Sequence, residues 1–201
     1  MYSILMLYME KGGVVNICIA VVCFVVIYIG LSKMFFYCGF RRSRQTMNKF
    51  LAGKEVSLSD KEIKRDWLLQ VFFTEYKQHT NRSVKYYTNF FREMLLEKVP
   101  HFEEGLDTMA AWISVAPLLG LLGTVVGMVK TFSIITVFGV GNPNLLSEGI
   151  SVALLTTQSG LIVAFPCLLF HNYLVSRKTF LVKEIVADSE KLLHWVEEKG
   201  V

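Results

Sequence analysis

The feature that most constrains the fold is an apolar run at residues 116–132, in which small residues recur at helical spacing. Positions three, four and seven apart share one face of an α-helix. That face would carry Gly120, Gly123, Thr124, Gly127 and Thr131. In a bilayer such a stripe lets helix backbones approach closely, because packing replaces the missing hydrophobic driving force. The run therefore predicts a membrane protein whose function lies between helices.

Composition supports a membrane protein and argues against other classes. The chain is 53% hydrophobic and 19% charged, with a mean hydropathy of +0.43, whereas soluble domains carry about 25% charged residues. Its four cysteines form no Cys-x-x-Cys pair and are expected to be buried structural thiols. No phosphate-binding glycine loop, nucleophile elbow or zinc-spaced set of His and Cys is present. We therefore expect no enzyme, no metal or cofactor, and no nucleic-acid partner.

Three segments are long and apolar enough to be transmembrane helices, which need about 20 such residues. They lie within residues 14–40, 109–139 and 147–175, and residues 140–146 supply a Gly/Pro/Asn turn between the last two. Residues 1–13 are compatible with a helix at the membrane surface. The sequence thus predicts an all-α membrane protein with three transmembrane helices. Residues 41–108 form a helical insert and residues 176–201 a helical tail.

The distribution of basic residues predicts the orientation. Arg41, Arg42 and Arg44 follow the first span, and Arg177 and Lys178 follow the third. Residues 133–148 contain no Lys or Arg. Because basic residues favour the cytoplasmic side, we expect a periplasmic N-terminus and hairpin loop, with a cytoplasmic insert, tail and C-terminus. The basic cluster should also contact anionic membrane lipids.

The insert and tail show amphipathic helical patterns. Residues 59–62 read Ser-Asp-Lys-Glu, a capping box that predicts the start of a helix containing Trp67 and Leu68. A second helix is predicted over residues 83–98, ending near Pro100. From about His101 a helix should run unbroken into the second span. The tail carries apolar residues at helical spacing and should continue the third span as one long helix.

The third span repeats the small-residue design of the second. Its small residues at helical spacing are Gly149, Ala153, Thr156, Thr157, Gly160 and Ala164. The hydroxyls need hydrogen-bond partners in hydrocarbon. They either bond to carbonyls one turn earlier, or Thr124 and Thr157 line a shared polar path. The residues alone leave both open. Pro117 and Pro166 are predicted to bend their spans.

These motifs carry a family resemblance. Residues 116–128 (APLLGLLGTVVGM), residues 149–161 (GISVALLTTQSGL) and residues 164–166 (AFP) closely resemble the MotA/TolQ/ExbB proton-channel family, especially its ExbB and TolQ branch. The resemblance implies a pentameric ring of this subunit in the bacterial inner membrane. The ring would surround a dimer of an ExbD- or TolR-like single-span partner whose membrane aspartate carries protons. A TonB-like protein could receive the motion. In the family, the threonines matching Thr124 and Thr157 lie near that aspartate.

One position departs from the family pattern. Many ExbB and TolQ members carry a glutamate where this chain has Val152, and Glu148 lies one helical turn nearer the hairpin loop. We expect the path to be lined by Thr124, Thr131, Thr156, Thr157 and Glu148. Glu148 would act there as an outer proton acceptor, or alternatively as a carboxylate favoured by the helix N-terminus. Lys130 is expected to reach the interface or a neighbouring subunit, rather than to pair with a carboxylate inside the assembly.

The resemblance and the residues together define the expected function and its rivals. Apart from Lys130, neither hairpin span has an ionisable residue in its middle, so a titrating carboxylate must come from another subunit. The expected function is a stator subunit that couples proton flow to mechanical work, although Na⁺ remains an open alternative to H⁺. The rivals are a non-conducting membrane scaffold and a MotA-like motility stator, for which a larger insert and four spans would be expected.

Overall fold

The protein is all-α in the computed structural model, which describes residues 2–43, 67–78, 83–139 and 143–198. These residues form five helices and contain no strand. The helices are α1 (Tyr2–Ser43), α2 (Trp67–Gln78), α3 (Val84–Glu103), α4 (Leu106–Phe138) and α5 (Pro143–Glu198). The predicted all-α class is therefore confirmed. The capping box at residues 59–62 lies outside the described residues.

Three helical segments are long and apolar enough to cross a membrane, as the sequence predicts. They are Gly13–Gly39, Val84–Val137 and Ser147–Glu198. Gly13 has a φ of 58°, in the left-handed region that glycine adopts without a Cβ penalty, and it divides α1 into two helical parts. α5 begins at Pro143, four residues before the predicted start, because proline is well accommodated in the first turn of a helix.

The chain divides into two compact units. The hairpin unit comprises Met1–Leu31 and Gly105–Tyr173, and the insert unit comprises Ser32–Glu104 and Leu174–Val201. In the insert unit, α2, α3 and the end of α5 share an aromatic core. Phe72 is fully buried at its centre, stacked on Phe91 at 5.9 Å between ring centroids and edge-on to Trp195 at 5.9 Å. Such offset and edge-on pairs add stability beyond the buried area.

The end of α3 differs from the prediction. The helix continues through Pro100 to Glu103, and the break before α4 lies at Gly105, with a φ of 81°. Proline removes only its own N–H donor, and the Pro100 carbonyl still accepts from the Glu104 N–H. The prediction that the helix ends near Pro100 and then runs unbroken from His101 into the second span is therefore wrong. The left-handed glycine, rather than the proline, interrupts it.

Side chains from α1 donate hydrogen bonds to backbone carbonyls in the last turn of α3. The Tyr37 hydroxyl donates to the Phe102 carbonyl at 2.7 Å, and the Lys33 ammonium donates to the His101 carbonyl at 3.3 Å. Tyr37 and Phe102 are both buried. The last carbonyls of a helix lack partners within the helix, so these bonds satisfy groups that Gly105 leaves open.

We expect Tyr37→Phe to destabilise the protein by about 1–3 kcal/mol, because it leaves the buried Phe102 carbonyl without its hydroxyl donor. Thermal unfolding of the purified protein in detergent measures the change. Tyr28→Phe is the matched control, since Tyr28 lies on the same helix with 66% of its surface exposed. Equal unfolding midpoints for the two variants would contradict the role given to the Tyr37 hydroxyl.

Candidate functional site

Helices α4 and α5 pack against each other antiparallel along a seam of small residues. A Cβ placed on Gly127 would lie 2.8 Å from the Ala153 Cβ, and one placed on Gly160 would lie 2.7 Å from the Ala116 carbonyl oxygen. Residues with higher numbers on α4 thus contact residues with lower numbers on α5. The two backbones approach too closely here for a side chain at Gly127 or Gly160, as the small-residue stripes predict.

Two of the threonines proposed to line a path are packing residues of this seam. Thr156 is 1% exposed and lies against Gly123, and Thr131 is 2% exposed and lies against Gly149. Their hydroxyls donate one turn back along their own helices, from Thr156 to the Ala153 carbonyl at 2.8 Å and from Thr131 to the Gly127 carbonyl at 2.9 Å. Both hydroxyls are therefore satisfied inside the hairpin.

Thr157 behaves differently, because its hydroxyl crosses the seam. It donates to the Gly120 carbonyl of α4 at 3.1 Å. In the helical ladder that same carbonyl is the acceptor for the backbone N–H of Thr124. The Thr124 hydroxyl donates to the Leu121 carbonyl at 2.7 Å, and both threonines are half-buried. The structure thus brings Thr124 and Thr157 together around one carbonyl. We call these two residues the threonine pair.

Most of the other residues predicted for helix packing lie in the seam. The small residues buried in the structure are Gly120, Gly123, Gly127, Gly149, Ala153 and Gly160. Ala164 and Val152 are half-buried beside it. α4 runs on through Pro117 and α5 through Pro166, and bending at these prolines stays a prediction.

Glu148 is not brought to the threonine pair. It is exposed on α5 and precedes Thr157 by nine residues. At about 100° per residue, nine residues correspond to two and a half turns, so the two side chains project from opposite sides of the helix. Lys130 is also exposed. Neither Glu148 nor Lys130 makes a hydrogen bond to the threonine pair in the described structure.

Two further contacts of the hairpin unit lie outside the seam, and the first of them was not predicted. Gly30 of α1 is buried, and a Cβ there would meet the Phe170 ring and lie 3.3 Å from the Met109 methyl group. Its signal was a glycine between the bulky residues Ile29 and Leu31 within the first span. In addition, His171 Nε2 lies 3.2 Å from the Leu106 carbonyl oxygen, which links α5 to the start of α4. Within the described residues, no cluster of His, Cys, Asp and Glu could hold a metal ion.

The chemistry available at the threonine pair follows from its hydroxyls. A hydroxyl both donates and accepts hydrogen bonds, so it can solvate or relay a proton, but it does not change its charge near neutral pH. Any group that takes up and releases protons here has to come from outside this pair. The pair is thus suited to a polar lining rather than to a proton-carrying site.

Sequence comparison shows which known proteins this chain is similar to. A sequence model described as the MotA/TolQ/ExbB proton channel family matches residues 60–186. The biopolymer transport protein ExbB of Aquifex aeolicus is 38% identical over 107 residues, which is 53% of this chain and 64% of that protein. A putative ExbB homologue of Methanothermobacter thermautotrophicus is 38% identical over 84 residues, covering 42% of this chain and 29% of that protein. The protein exbB1 of Vibrio cholerae is 40% identical over 73 residues, covering 36% and 32%.

The matched segments thus span less than two thirds of each of these relatives. The family model, in contrast, covers more than half of this chain, including the whole α4–α5 seam and the threonine pair. With three helices that can cross a membrane and this match, the chain belongs to the MotA/TolQ/ExbB proton channel family.

Proposed function

We propose that this protein is an ExbB/TolQ-like stator subunit. Together with an ExbD/TolR-like single-span partner, it would couple the proton-motive force to work in the periplasm or at the outer membrane, such as TonB-dependent uptake. The observation that carries the proposal is the Thr157–Gly120 hydrogen bond, which brings Thr157 to the carbonyl that accepts the Thr124 backbone N–H, while Glu148 projects from the opposite side of α5. Membership of a proton-channel family supports the same function.

The roles proposed for this chain and for its partner follow from electrostatics. A charged carboxylate in the bilayer costs about 2.5–3.5 kcal/mol on insertion scales, so it is retained only where it has a function. In this proposal the aspartate of the partner takes up and releases the proton. The threonine pair supplies hydroxyls that solvate the proton as it passes. Thr131 and Thr156 hold the hairpin closed instead, because both are buried and pack against Gly149 and Gly123 of the facing helix.

The proposed assembly is a pentamer of this chain around a dimer of the partner, in the bacterial inner membrane. Bulky side chains of the hairpin remain exposed in the single chain, among them Leu121 at 59% and Leu161 at 55%. Lipid tails or neighbouring copies would cover such surfaces in a ring. The placement of Lys and Arg supports a periplasmic N-terminus and a cytoplasmic C-terminus.

Proton flux into liposomes tests the proposed function. Vesicles that contain this chain alone should conduct poorly, and vesicles that also contain the single-span partner should acidify when a potential is imposed. A partner with its membrane aspartate replaced by asparagine is the matched control. Efficient conduction by this chain alone would overturn the proposal. Repeating the measurement with a Na⁺ gradient decides whether the ion is H⁺ or Na⁺.

A non-conducting membrane scaffold is the competing function. It is favoured by the satisfied hydroxyls of Thr131 and Thr156, which need no path to explain them. A scaffold would give no partner-dependent flux in the same vesicles while still assembling with the partner. The threonine pair is where the two functions differ, because only the proton channel requires the Thr157 hydroxyl for more than packing.

Glu148→Gln tests the proposed outer acceptor. Because Glu148 and Thr157 project from opposite sides of α5, we expect the variant to keep partner-dependent flux per assembled complex within about twofold of the original, well below the tenfold that corresponds to about 1.4 kcal/mol. Flux is normalised to the amount of reconstituted complex. A tenfold or larger loss would instead assign the acceptor role to Glu148.

A further inference from the structure

We infer that His171 is a proton acceptor at the end of the α4–α5 hairpin farthest from its loop, where it receives protons that have passed the threonine pair. The inference rests on the proposed function and adds to it the group that takes up the proton on the way out of the membrane.

The contact that His171 makes leaves one ring nitrogen available for a proton. The ring is half-buried, and its Nε2 atom lies 3.2 Å from the Leu106 carbonyl oxygen. A carbonyl oxygen only accepts hydrogen bonds, so Nε2 carries the hydrogen in this contact and the neutral ring has its lone pair on Nδ1. A proton that adds to Nδ1 keeps the bond to Leu106 and strengthens it, because the donor becomes charged.

This contact is in register with the threonine pair. The Thr157 hydroxyl donates to the Gly120 carbonyl. His171 follows Thr157 by 14 residues on α5, and Leu106 precedes Gly120 by the same 14 residues on α4. Fourteen residues are close to four helical turns, or about 21 Å, so they return to nearly the same side of each helix. His171 therefore lies on the side of the hairpin that carries the threonine pair.

The level midway between the two contacts offers a further polar group. Seven residues from each contact, the register sets Ala164 of α5 opposite Ile113 of α4. Pro117 has no backbone N–H, so the Ile113 carbonyl lacks the donor that the helical ladder would otherwise supply. Ala164 has only a methyl group at this level, which leaves space for water to donate to that carbonyl. We call the carbonyls of Gly120, Ile113 and Leu106 the carbonyl track.

The groups around His171 leave it as the acceptor at the end of this track. Asp107 is exposed at the start of α4, and Cys167 is buried one turn earlier on α5. The basic residues at positions 177–178 follow later on α5, and residues 14–31 of α1 contain no acidic or basic side chain. Histidine is the side chain that takes up and releases protons between about pH 5 and 8, as proton transfer to the cytoplasm requires.

The proposed step is a proton transfer that returns the ring to its starting form. A proton from water on the carbonyl track adds to Nδ1 of the neutral imidazole and gives the imidazolium cation. Nδ1 then releases the proton to water at the end of the hairpin, which faces the cytoplasm in the proposed orientation. The threonine pair keeps its charge throughout, and the aspartate of the partner remains the group that brings the proton to it.

His171→Gln tests the acceptor role in liposomes that contain this chain together with the single-span partner. Glutamine keeps an N–H donor for the Leu106 carbonyl but cannot take up a proton. We expect partner-dependent flux per assembled complex to fall at least about tenfold, which corresponds to about 1.4 kcal/mol in the barrier. His194→Gln is the matched control and should keep the original flux, because His194 lies in the tail with 73% of its side chain exposed.

The pH profile separates proton uptake from a structural role. Flux is driven by an imposed potential at equal pH on both sides, and the ratio of the original flux to the His171→Gln flux is measured. This ratio should decrease as the pH falls from about 8 to 5, because a protonated imidazole cannot accept a second proton. Equal fluxes, or a ratio that is independent of pH, would overturn the inference. Failure of the proposed function is distinguishable, since the original protein would then show no partner-dependent flux at all.

Ala164→Leu tests the middle of the carbonyl track. The larger side chain would fill the space opposite the Ile113 carbonyl, so flux should fall at least about tenfold while the complex still assembles. Ala111→Leu, at an exposed position of α4, adds the same atoms outside the track and should leave flux unchanged. An Ala164→Leu protein that assembles and conducts as well as Ala111→Leu would overturn the route to His171, and with it the inference.

Discussion

Replacing Gly160 by valine should force α4 and α5 apart and destabilise the protein. A Cβ at position 160 would lie 2.7 Å from the Ala116 carbonyl oxygen and 3.3 Å from the Gly120 Cα. Both neighbours are backbone atoms, which cannot turn aside as a side chain can. The helices must therefore separate, and the contacts along the seam are lost with them.

The expected loss in the free energy of unfolding is the difference between two opposing effects. Removing a glycine from a helix interior gains at most about 1 kcal/mol of helix propensity. Overpacking a well-packed contact costs about 1–3 kcal/mol, and a branched side chain against backbone lies at the upper end. For a chain of this size, a net loss of about 2 kcal/mol lowers the unfolding midpoint by about 4–8 °C. Thermal unfolding in detergent measures this directly.

Gly39→Val is the matched control, because nothing lies within 4 Å of a Cβ placed at Gly39 of α1. Its unfolding midpoint should stay close to that of the original protein. A Gly160→Val protein that unfolds at the same temperature as Gly39→Val would show that the helices are not in close contact at this level. In that case the seam would not position the threonine pair.

The seam itself could be predicted from the sequence, because helical periodicity alone puts the small residues on one face. Gly120 and Gly127 are buried there, as are Ala153 and Gly160. What periodicity does not supply is the register between the two helices. Thr156 and Thr157 are adjacent in sequence, yet one fills a gap beside Gly123 and the other reaches the Gly120 carbonyl. That difference depends on which turn of α4 faces which turn of α5.

Two residues before α4, Pro100 and Gly105, could each end the preceding helix. Proline is the stronger helix breaker in isolation, so the sequence favoured an end near Pro100. In the structure the helix tolerates Pro100, and Tyr37 and Lys33 supply donors to the carbonyls of the last turn. Those donors come from more than 60 residues earlier in the chain, and no local pattern could reveal them. Gly105 then makes the turn with its left-handed backbone.

Thr157→Val should reduce partner-dependent proton flux at least about tenfold, which corresponds to about 1.4 kcal/mol in the barrier, while the complex still assembles. Valine keeps the shape of threonine but removes the hydroxyl that donates to the Gly120 carbonyl. In membrane helices such a bond contributes about 0.6 kcal/mol on average, too little to unfold the hairpin. A large loss of flux with intact assembly therefore cannot be assigned to packing.

Two further variants test whether proton flux requires a hydroxyl at position 157 and whether loss of a hydroxyl elsewhere on α4 has the same effect. Thr157→Ser keeps a hydroxyl and should keep most of the flux. Thr136→Val removes an exposed hydroxyl of α4 that bonds only to the Ser133 carbonyl of its own helix, and flux should not change. If Thr157→Val conducts as well as Thr136→Val, the hydroxyl only joins α4 to α5, and the chain functions as a scaffold. If only Thr157→Val fails, the hydroxyl that crosses the seam belongs to the proton path, because its effect on stability is too small to account for the loss.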